Sequence, residues 1–205
     1  MISVLSGGAV KSIVQPLAAA WREEVSFEFQ PMGKLVKTLA AGANPDMLIV
    51  TTEVASKLKM QGKPVAKIGI GVAVREGAPI PDLSSAEAFK RAVLAAKSII
   101  CMDPAIGTSG KHVDEIFSRL GIKDQMRSKT RLGQGGYITE AVARGEVELG
   151  IHHIAEILPV KGAKLAGPLP PELQVHTVYV AVARSPSTGV SAFIGHLASG
   201  YTCPP

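Results

Sequence analysis

Aromatic residues are scarce in this chain. Phenylalanine, tryptophan and tyrosine together make up 4% of its 205 residues. A protein that binds single-stranded nucleic acid needs exposed aromatic rings on which the bases stack. Lysine and arginine outnumber aspartate and glutamate by 22 to 17, but they never form a run of five or more. The composition therefore predicts no nucleic-acid partner, and the basic excess indicates only a weak general attraction for anions.

Long hydrophobic runs are also missing. No stretch reaches the roughly 18 consecutive apolar residues that a membrane-spanning helix needs, so we expect no membrane insertion. Met1 leads directly into Ile-Ser-Val-Leu, without the basic and apolar regions of a signal peptide. As written, the chain is expected to be cytoplasmic; it would be periplasmic if a leader had been removed.

Cysteine is the third scarce residue type. Cys101 lies in an apolar run and is typical of a buried strand residue, whereas Cys203 lies in a tail that ends in proline. Neither cysteine belongs to a C-x-x-C motif, so the sequence predicts no disulfide framework, no metal centre and no cofactor.

The residues that are abundant predict a globular α/β protein. Apolar residues make up 46% of the chain and charged residues 19%. The length is sufficient for one large or two small domains, each with its own core. Short apolar runs alternate with helical patterns, which is typical of an α/β fold. The predicted strands cover residues 2–5, 25–29, 47–50, 68–74, 98–102, 148–151 and 175–182.

Two of these strands, residues 68–74 and 175–182, are long and bracket the middle of the chain. If both run between lobes, the middle of the chain forms one domain and the two ends come together as the other. The predicted lobe I is therefore discontinuous and contains residues 1–73 and 175–205. The predicted lobe II contains residues 74–174.

Several predicted strands end in a short segment of hydroxyl residues or glycine, after which a helix begins. Such a junction directs free backbone N–H groups and the positive end of the helix dipole at one point. Converging junctions at the carboxyl edge of a sheet can bind an oxyanion or a carboxylate. Ordinary helix N-caps show the same residue preference, so a purely structural interpretation stays open. The junctions are Ser6-Gly7-Gly8, Thr51-Thr52, Gly107-Thr108-Ser109-Gly110 and, less clearly, Gly135-Gly136.

The most unusual dipeptide is His152-His153, at the end of a predicted strand. Adjacent strand residues point to opposite faces, so the pair is a poor metal site unless the chain turns there. Either one histidine faces the ligand or both are ordinary surface or cap residues. Lys34 could reach a carboxylate or be solvated, and Tyr137 could cover a ligand or pack in the core.

Four segments together resemble a known family. They are Val4 to Ala9, Met47 to Thr52, Asp103-Pro104 with Gly107 to Gly110, and Gly150 to His153. In order and spacing they resemble the molybdate-binding-like branch of the bacterial extracellular solute-binding proteins, which have the type II periplasmic-binding fold. The resemblance covers roughly residues 2–183. The aconitate isomerases are also similar to this branch.

The resemblance implies a two-lobed clamshell in which each lobe is a mostly parallel sheet flanked by helices. A small anionic ligand is then held in the cleft by hydroxyl groups and backbone amides. By position, Ser6 and either Thr51 or Thr52 are the donors of one lobe, and Ser109 is the donor of the other. If the chain is exported, a transporter permease is the implied partner. The full predicted ligand set is Ser6, Gly7, Gly8, Lys34, Thr51, Thr52, Gly107, Thr108, Ser109, Tyr137 and His152.

Three functions are compatible with these expectations. The first is a non-catalytic protein that binds an oxyanion or a carboxylate. The second is an isomerase of an unsaturated tricarboxylic acid in which His152 or His153 is the general base. The third is a cytoplasmic ligand sensor, or a degenerate family member without a ligand. Because the chain ends in Gly, Cys and Pro after Gly200, we also expect bare apolar surface and a homo-oligomer, which sedimentation would detect.

Overall fold

The computed structural model describes residues 1–201 and divides into two compact units. One unit contains residues 1–68 and the chain from Thr177 onward, and the other contains Gly69–His176. The sequence predicts that the first segment of lobe I ends at residue 73, five residues later, because residues 68–74 have the pattern of one strand. In the structure two strands, β4 (Lys63–Ile68) and β5 (Ile70–Arg75), meet at Gly69 and belong to different sheets. The predicted single strand is therefore wrong.

The first unit is built on a five-stranded sheet in the order β2-β1-β3-β10-β4. Strand β1 is parallel to β2 and to β3, whereas β10 is antiparallel to β3 and to β4. A short 3-10 turn at Gly8–Val10 precedes the first helix. The other elements are β1 (Ile2–Gly7), α1 (Lys11–Ala19), β2 (Val25–Gln30), α2 (Met32–Ala40), β3 (Met47–Thr51), α3 (Thr52–Lys57), β10 (Thr177–Ala183) and α9 (Thr188–Ser199).

The second unit has a sheet of the same size, in the order β7-β6-β8-β5-β9. Here β6 is parallel to β7 and β8, while β5 is antiparallel to β8 and β9. The predicted α/β fold is confirmed, but the sheets are mixed rather than mostly parallel, because each has two parallel and two antiparallel pairings. The elements are α4 (Ala86–Ala95), β6 (Ile99–Met102), α5 (Thr108–Arg119), α6 (Lys123–Arg127), β7 (Thr130–Gly133), α7 (Glu140–Ala143), β8 (Leu149–His153), α8 (Ile154–Ile157) and β9 (Ala163–Pro168).

Helix α4 begins after its N-cap Ser85, whose Oγ accepts a hydrogen bond from the Ala88 N–H at 3.1 Å. This start directs Phe89 and Val93 into the core of the second unit, where both are almost fully buried. The burial of the apolar face thus favours Ser85 over the adjacent Ser84 as the N-cap.

Cys101 lies in the core of the second unit, as its apolar surroundings predict, with 4% of its surface exposed. Burial raises the pKa of its thiol to about 12, and the carboxylates of Asp114 and Asp103 add to the shift. Cys203 lies outside the described residues. Among residues 1–201, no helix has both the length and the apolarity to cross a membrane.

The buried thiol gives a first testable expectation. In a Cys203→Ser variant, which leaves Cys101 as the single thiol, a disulfide reagent at pH 8 should not react with the native chain, because the reactive thiolate is suppressed by burial. The same thiol should react at once in a denaturant. Rapid reaction of one equivalent under native conditions would show that Cys101 is accessible.

Candidate functional site

Two of the predicted hydroxyl donors lie at one edge of the first sheet. Strands β1 and β3 are parallel neighbours, with Ser6 opposite Ile49, so their carboxyl ends share an edge. Ser6 is fully buried, and its Oγ donates to the Gly7 carbonyl at 3.1 Å. Thr51 is the N-cap of α3, and its Oγ1 accepts a hydrogen bond from the Val54 N–H at 3.3 Å. Since the cap uses only the oxygen, the Thr51 hydroxyl can still donate.

The other predicted residues of this unit are less suited to ligand binding. Lys34 and Thr52 lie on helix surfaces and are exposed. Gly7 has a packing role, because a Cβ there would lie 2.7 Å from Met32 Cε and 2.8 Å from Tyr179 Cε1. Solvent exposure explains Lys34 and Thr52, and packing explains Gly7, without a ligand.

The second unit places an uncapped helix N-terminus after strand β6. Helix α5 has 12 residues, its N-cap is Gly107, and no side chain of the described chain caps its first N–H groups. The first turn contains no acidic residue. Ser109, in that turn, is 1% exposed, and Thr108 is half-buried. Free N–H groups, a helix dipole and a buried hydroxyl are together a favourable environment for an anion.

Ser109 and His152 meet although they are far apart in sequence. Strand β8 runs parallel to β6, with Ile151 opposite Cys101, so both chain segments leave the sheet at the same edge. Ser109 Oγ lies 2.9 Å from His152 Nδ1, and both side chains are buried. Tyr137 follows β7 at this edge and is half-buried; burial and the nearby carboxylate of Glu156 raise the pKa of its phenol.

The two histidines converge on one carboxylate, contrary to the expectation that they point to opposite faces. Strand β8 ends at His153, which is the N-cap of α8, and the chain turns there. Glu156 Oε2 lies 3.2 Å from His152 Nε2 and 3.4 Å from His153 Nδ1. The ring centroids of the histidines are 5.8 Å apart. The alternation rule holds only within a strand, and it lapses at the residue where the helix begins.

Burial and charge act in opposite directions on Glu156. Burial alone would raise its pKa, but the two imidazoles outweigh burial and hold the pKa of the carboxyl at about 2. For His153, burial outweighs the attraction of the carboxylate and lowers the imidazole pKa. Near neutral pH, Glu156 is therefore an ionised carboxylate and His153 is neutral.

Sequence reasoning missed Glu156. Its position in a short amphipathic segment resembled that of a solvated helix residue. The available signal was its spacing, since Glu156 follows His153 by three residues and His152 by four, which places all three on one side of a helical turn. Thr139, also fully buried, lies against the same segment and donates from Oγ1 to the Glu156 carbonyl at 3.5 Å.

Ser109, His152 and Glu156 thus form a buried polar chain. This chain orients the Ser109 hydroxyl at the start of α5, because the His152 ring contacts Ser109 with one nitrogen and faces the Glu156 carboxylate with the other. The same chain can carry a proton from the hydroxyl to His152, whose charge the carboxylate would stabilise.

Two comparisons of the sequence with known proteins gave matches. The family described as bacterial extracellular solute-binding protein matches residues 2–200. A relative named aconitate isomerase, from a Pseudomonas species, is 28% identical over 195 residues, which are 87% of this chain and 73% of that protein.

Solved structures show the same fold at low sequence identity. The periplasmic molybdate-binding protein of Azotobacter vinelandii superimposes with a TM-score of 0.73 at 15% identity, over 100% of both chains. The sulfate-binding protein of Mycobacterium tuberculosis H37Rv gives 0.70 at 15% identity, over 96% of this chain and 81% of that one. The two-lobed periplasmic-binding-protein fold implied by the sequence is therefore confirmed.

Proposed function

Because the chain belongs to the bacterial extracellular solute-binding protein family, we propose that it binds one small oxyanion or carboxylate without transforming it. The observation that carries this proposal is the buried Ser109 hydroxyl in the uncapped first turn of α5, oriented by His152 at 2.9 Å. Within the first unit, the buried hydroxyl groups of Ser6 and Thr51 are proposed as anion donors as well. In an exported chain, such a protein would deliver its ligand to a transporter permease.

The chemistry of the donors favours an anion over a cation or a neutral solute. Free backbone N–H groups can only donate hydrogen bonds, and each hydroxyl group can donate one as well. The carboxylate of Glu156 is separated from Ser109 by the His152 ring, whose two nitrogens face these two residues. The molybdate-binding and sulfate-binding proteins named above have tetrahedral oxyanions as ligands, and their fold supports the same ligand class here.

Ser109→Ala should weaken binding of the anion by about 1 kcal/mol or more, roughly fivefold, because an oxygen of the ligand loses a buried donor. A thermal-shift screen with molybdate, tungstate, sulfate, phosphate, citrate and both aconitate isomers selects the anion. Titration calorimetry then measures its affinity.

Ser118→Ala is the matched control for that comparison. Ser118 lies in the same helix but is exposed, and its Oγ donates to the Asp114 carbonyl within the helix. The control should bind like the unmodified chain. Equal affinity for the Ser109→Ala variant and the control would remove Ser109 from the site.

A second function is favoured by the polar chain and by the relative named aconitate isomerase. Isomerisation of an unsaturated tricarboxylate moves a proton between carbons next to carboxylates. Ser109 Oγ is the part of the chain placed to meet a ligand, so it would receive the ligand's proton while its own proton passes to His152 Nδ1. Glu156 would stabilise the imidazolium that forms. The transfer then runs in reverse to the other carbon, which restores the Ser109 hydroxyl and the neutral His152 ring.

The two functions are separated by incubating the chain with cis-aconitate or trans-aconitate and following the mixture by proton NMR. A binding protein leaves each isomer unchanged, even where it binds one of them. An isomerase brings both solutions to the same mixture, and His152→Gln should then lower the rate at least about a hundredfold, which is the contribution of a general base.

A further inference from the structure

The cluster of His152, His153 and Glu156 is more than a support for Ser109. One ligand-type atom from each residue lies within 4.8 Å of the others, and all three side chains are buried. Glu156 Oε2 is near His152 Nε2 and His153 Nδ1. His152 Nε2 lies 3.2 Å from this oxygen and has no hydrogen-bond partner of good geometry among the described residues. A buried ring nitrogen thus points at a carboxylate without bonding to it.

The spacing of these atoms suits a transition-metal ion. Zinc binds imidazole nitrogens at about 2.0–2.1 Å and carboxylate oxygens at about 2.0–2.2 Å, with tetrahedral geometry. Two ligand atoms at such distances are about 3.3 Å apart. The separations from Glu156 Oε2 to the two ring nitrogens are 3.2 and 3.4 Å. Two imidazoles with one carboxylate also favour zinc and its neighbours over magnesium or calcium, which prefer oxygen ligands.

We propose that His152, His153 and Glu156 bind one divalent transition-metal ion, and that this ion prepares Ser109 to donate a hydrogen bond to the anion. The second half of the proposal rests on the proposed function. The fourth coordination position is left for water, since the cluster supplies three ligand atoms.

The coupling follows from the tautomer of His152. A metal on Nε2 requires the ring proton to be on Nδ1, which then donates to Ser109 Oγ at 2.9 Å. The Ser109 hydroxyl accepts this bond, and its own hydrogen is left for the anion. Without the metal, the two tautomers of the neutral ring interchange. In the tautomer with its proton on Nε2 the ring accepts the Ser109 hydrogen, and the hydroxyl then presents only lone pairs to the anion. Binding of the cation should therefore strengthen binding of the anion, and the reverse.

The metal half is tested without any anion. The untagged full chain is freed of metal with a chelator and titrated with Zn²⁺ by calorimetry and with Co²⁺ by visible absorption. We expect one ion per chain, with d–d bands of nitrogen and oxygen coordination and no thiolate charge-transfer band. His153→Gln should weaken binding more than about a hundredfold, since even loss of an outer partner costs 10- to 100-fold.

His176→Gln is the matched control, because His176 is an exposed histidine of the same unit. It should bind Zn²⁺ like the unmodified chain. The proposal is overturned if the chain binds no Zn²⁺, or if His153→Gln binds it as well as the control does. If circular dichroism shows that His153→Gln is unfolded, Glu156→Gln replaces it. The Co²⁺ spectrum of the unmodified chain reports the ligand types in either case.

The coupling half is tested by measuring the affinity for sulfate and for molybdate with and without one equivalent of Zn²⁺. We expect binding at least about fivefold tighter with Zn²⁺, at the lower end of typical couplings, and no such gain in Ser109→Ala. Equal affinity in both conditions would overturn the coupling and leave the metal site intact. If neither anion binds in either condition, the coupling fails together with the oxyanion form of the proposed function, while the Zn²⁺ titration still decides the metal site.

Discussion

Gly110→Ala should destabilise the second unit by about 3 kcal/mol, at the upper end of the usual cost of overpacking. Gly110 lies in the first turn of α5, where the helix passes directly over the end of β6. A Cβ at this position would be 2.1 Å from the Met102 carbonyl oxygen and 2.7 Å from its carbon. Both obstacles are backbone atoms of a buried strand, so the helix must move away instead. Denaturant unfolding followed by circular dichroism measures the loss.

Gly195→Ala is the control for this substitution. Gly195 lies within α9, and a Cβ there would meet no other atom within 4 Å. Alanine should stabilise that helix by about 0.5–1 kcal/mol, because glycine has the lower helix propensity. The displaced α5 of Gly110→Ala should also bind the anion more weakly, since its first turn carries Ser109. Unfolding of Gly110→Ala at the same denaturant concentration as the unmodified chain would mean that α5 and β6 are not in this contact.

Glu156→Ala should cost about 3 kcal/mol of the free energy of unfolding, because it leaves a buried cavity and takes the carboxylate away from two buried imidazole rings. His152 and His153 are buried, and the described structure brings this carboxylate to both of their rings. The measurement is made with a chelator present, so that the result does not depend on a bound metal.

Glu115→Ala is the matched control, because it removes an exposed carboxylate from beside a half-buried histidine in the same unit. Glu115 Oε2 lies 3.7 Å from His112 Nδ1, and the Glu115 side chain is 56% exposed. A solvated carboxylate contributes little to stability, so this variant should lose less than about 0.5 kcal/mol. Equal losses for the two glutamate variants would show that the buried carboxylate contributes nothing beyond an exposed one.

The sequence predicts much of the fold, because most strands are buried and their apolar runs are clear. It fails at Gly69, where two apolar strands follow each other across a single glycine and the pattern shows no break. It also fails for β7 and β9, at opposite edges of the second sheet. Edge strands are partly solvated, and these two alternate too weakly to stand out from loops.

The candidate site was predictable where it depends on local signals. Ser109 follows from the glycine and hydroxyl residues that begin α5, and the histidine pair from its unusual composition. The contact of Ser109 with His152 depends on the pairing of β6 with β8, which a single sequence does not encode locally. The position of Glu156 beside the two histidine rings depends on the turn at His153, since the rings converge only when the strand ends there.

A crystal structure of the complex with the anion that the thermal-shift screen selects tests the central claim most directly. The predicted result is one anion with an oxygen about 2.7–3.2 Å from Ser109 Oγ or from the free N–H groups in the first turn of α5. An anion bound elsewhere on the chain, with the first turn of α5 vacant, would contradict the account.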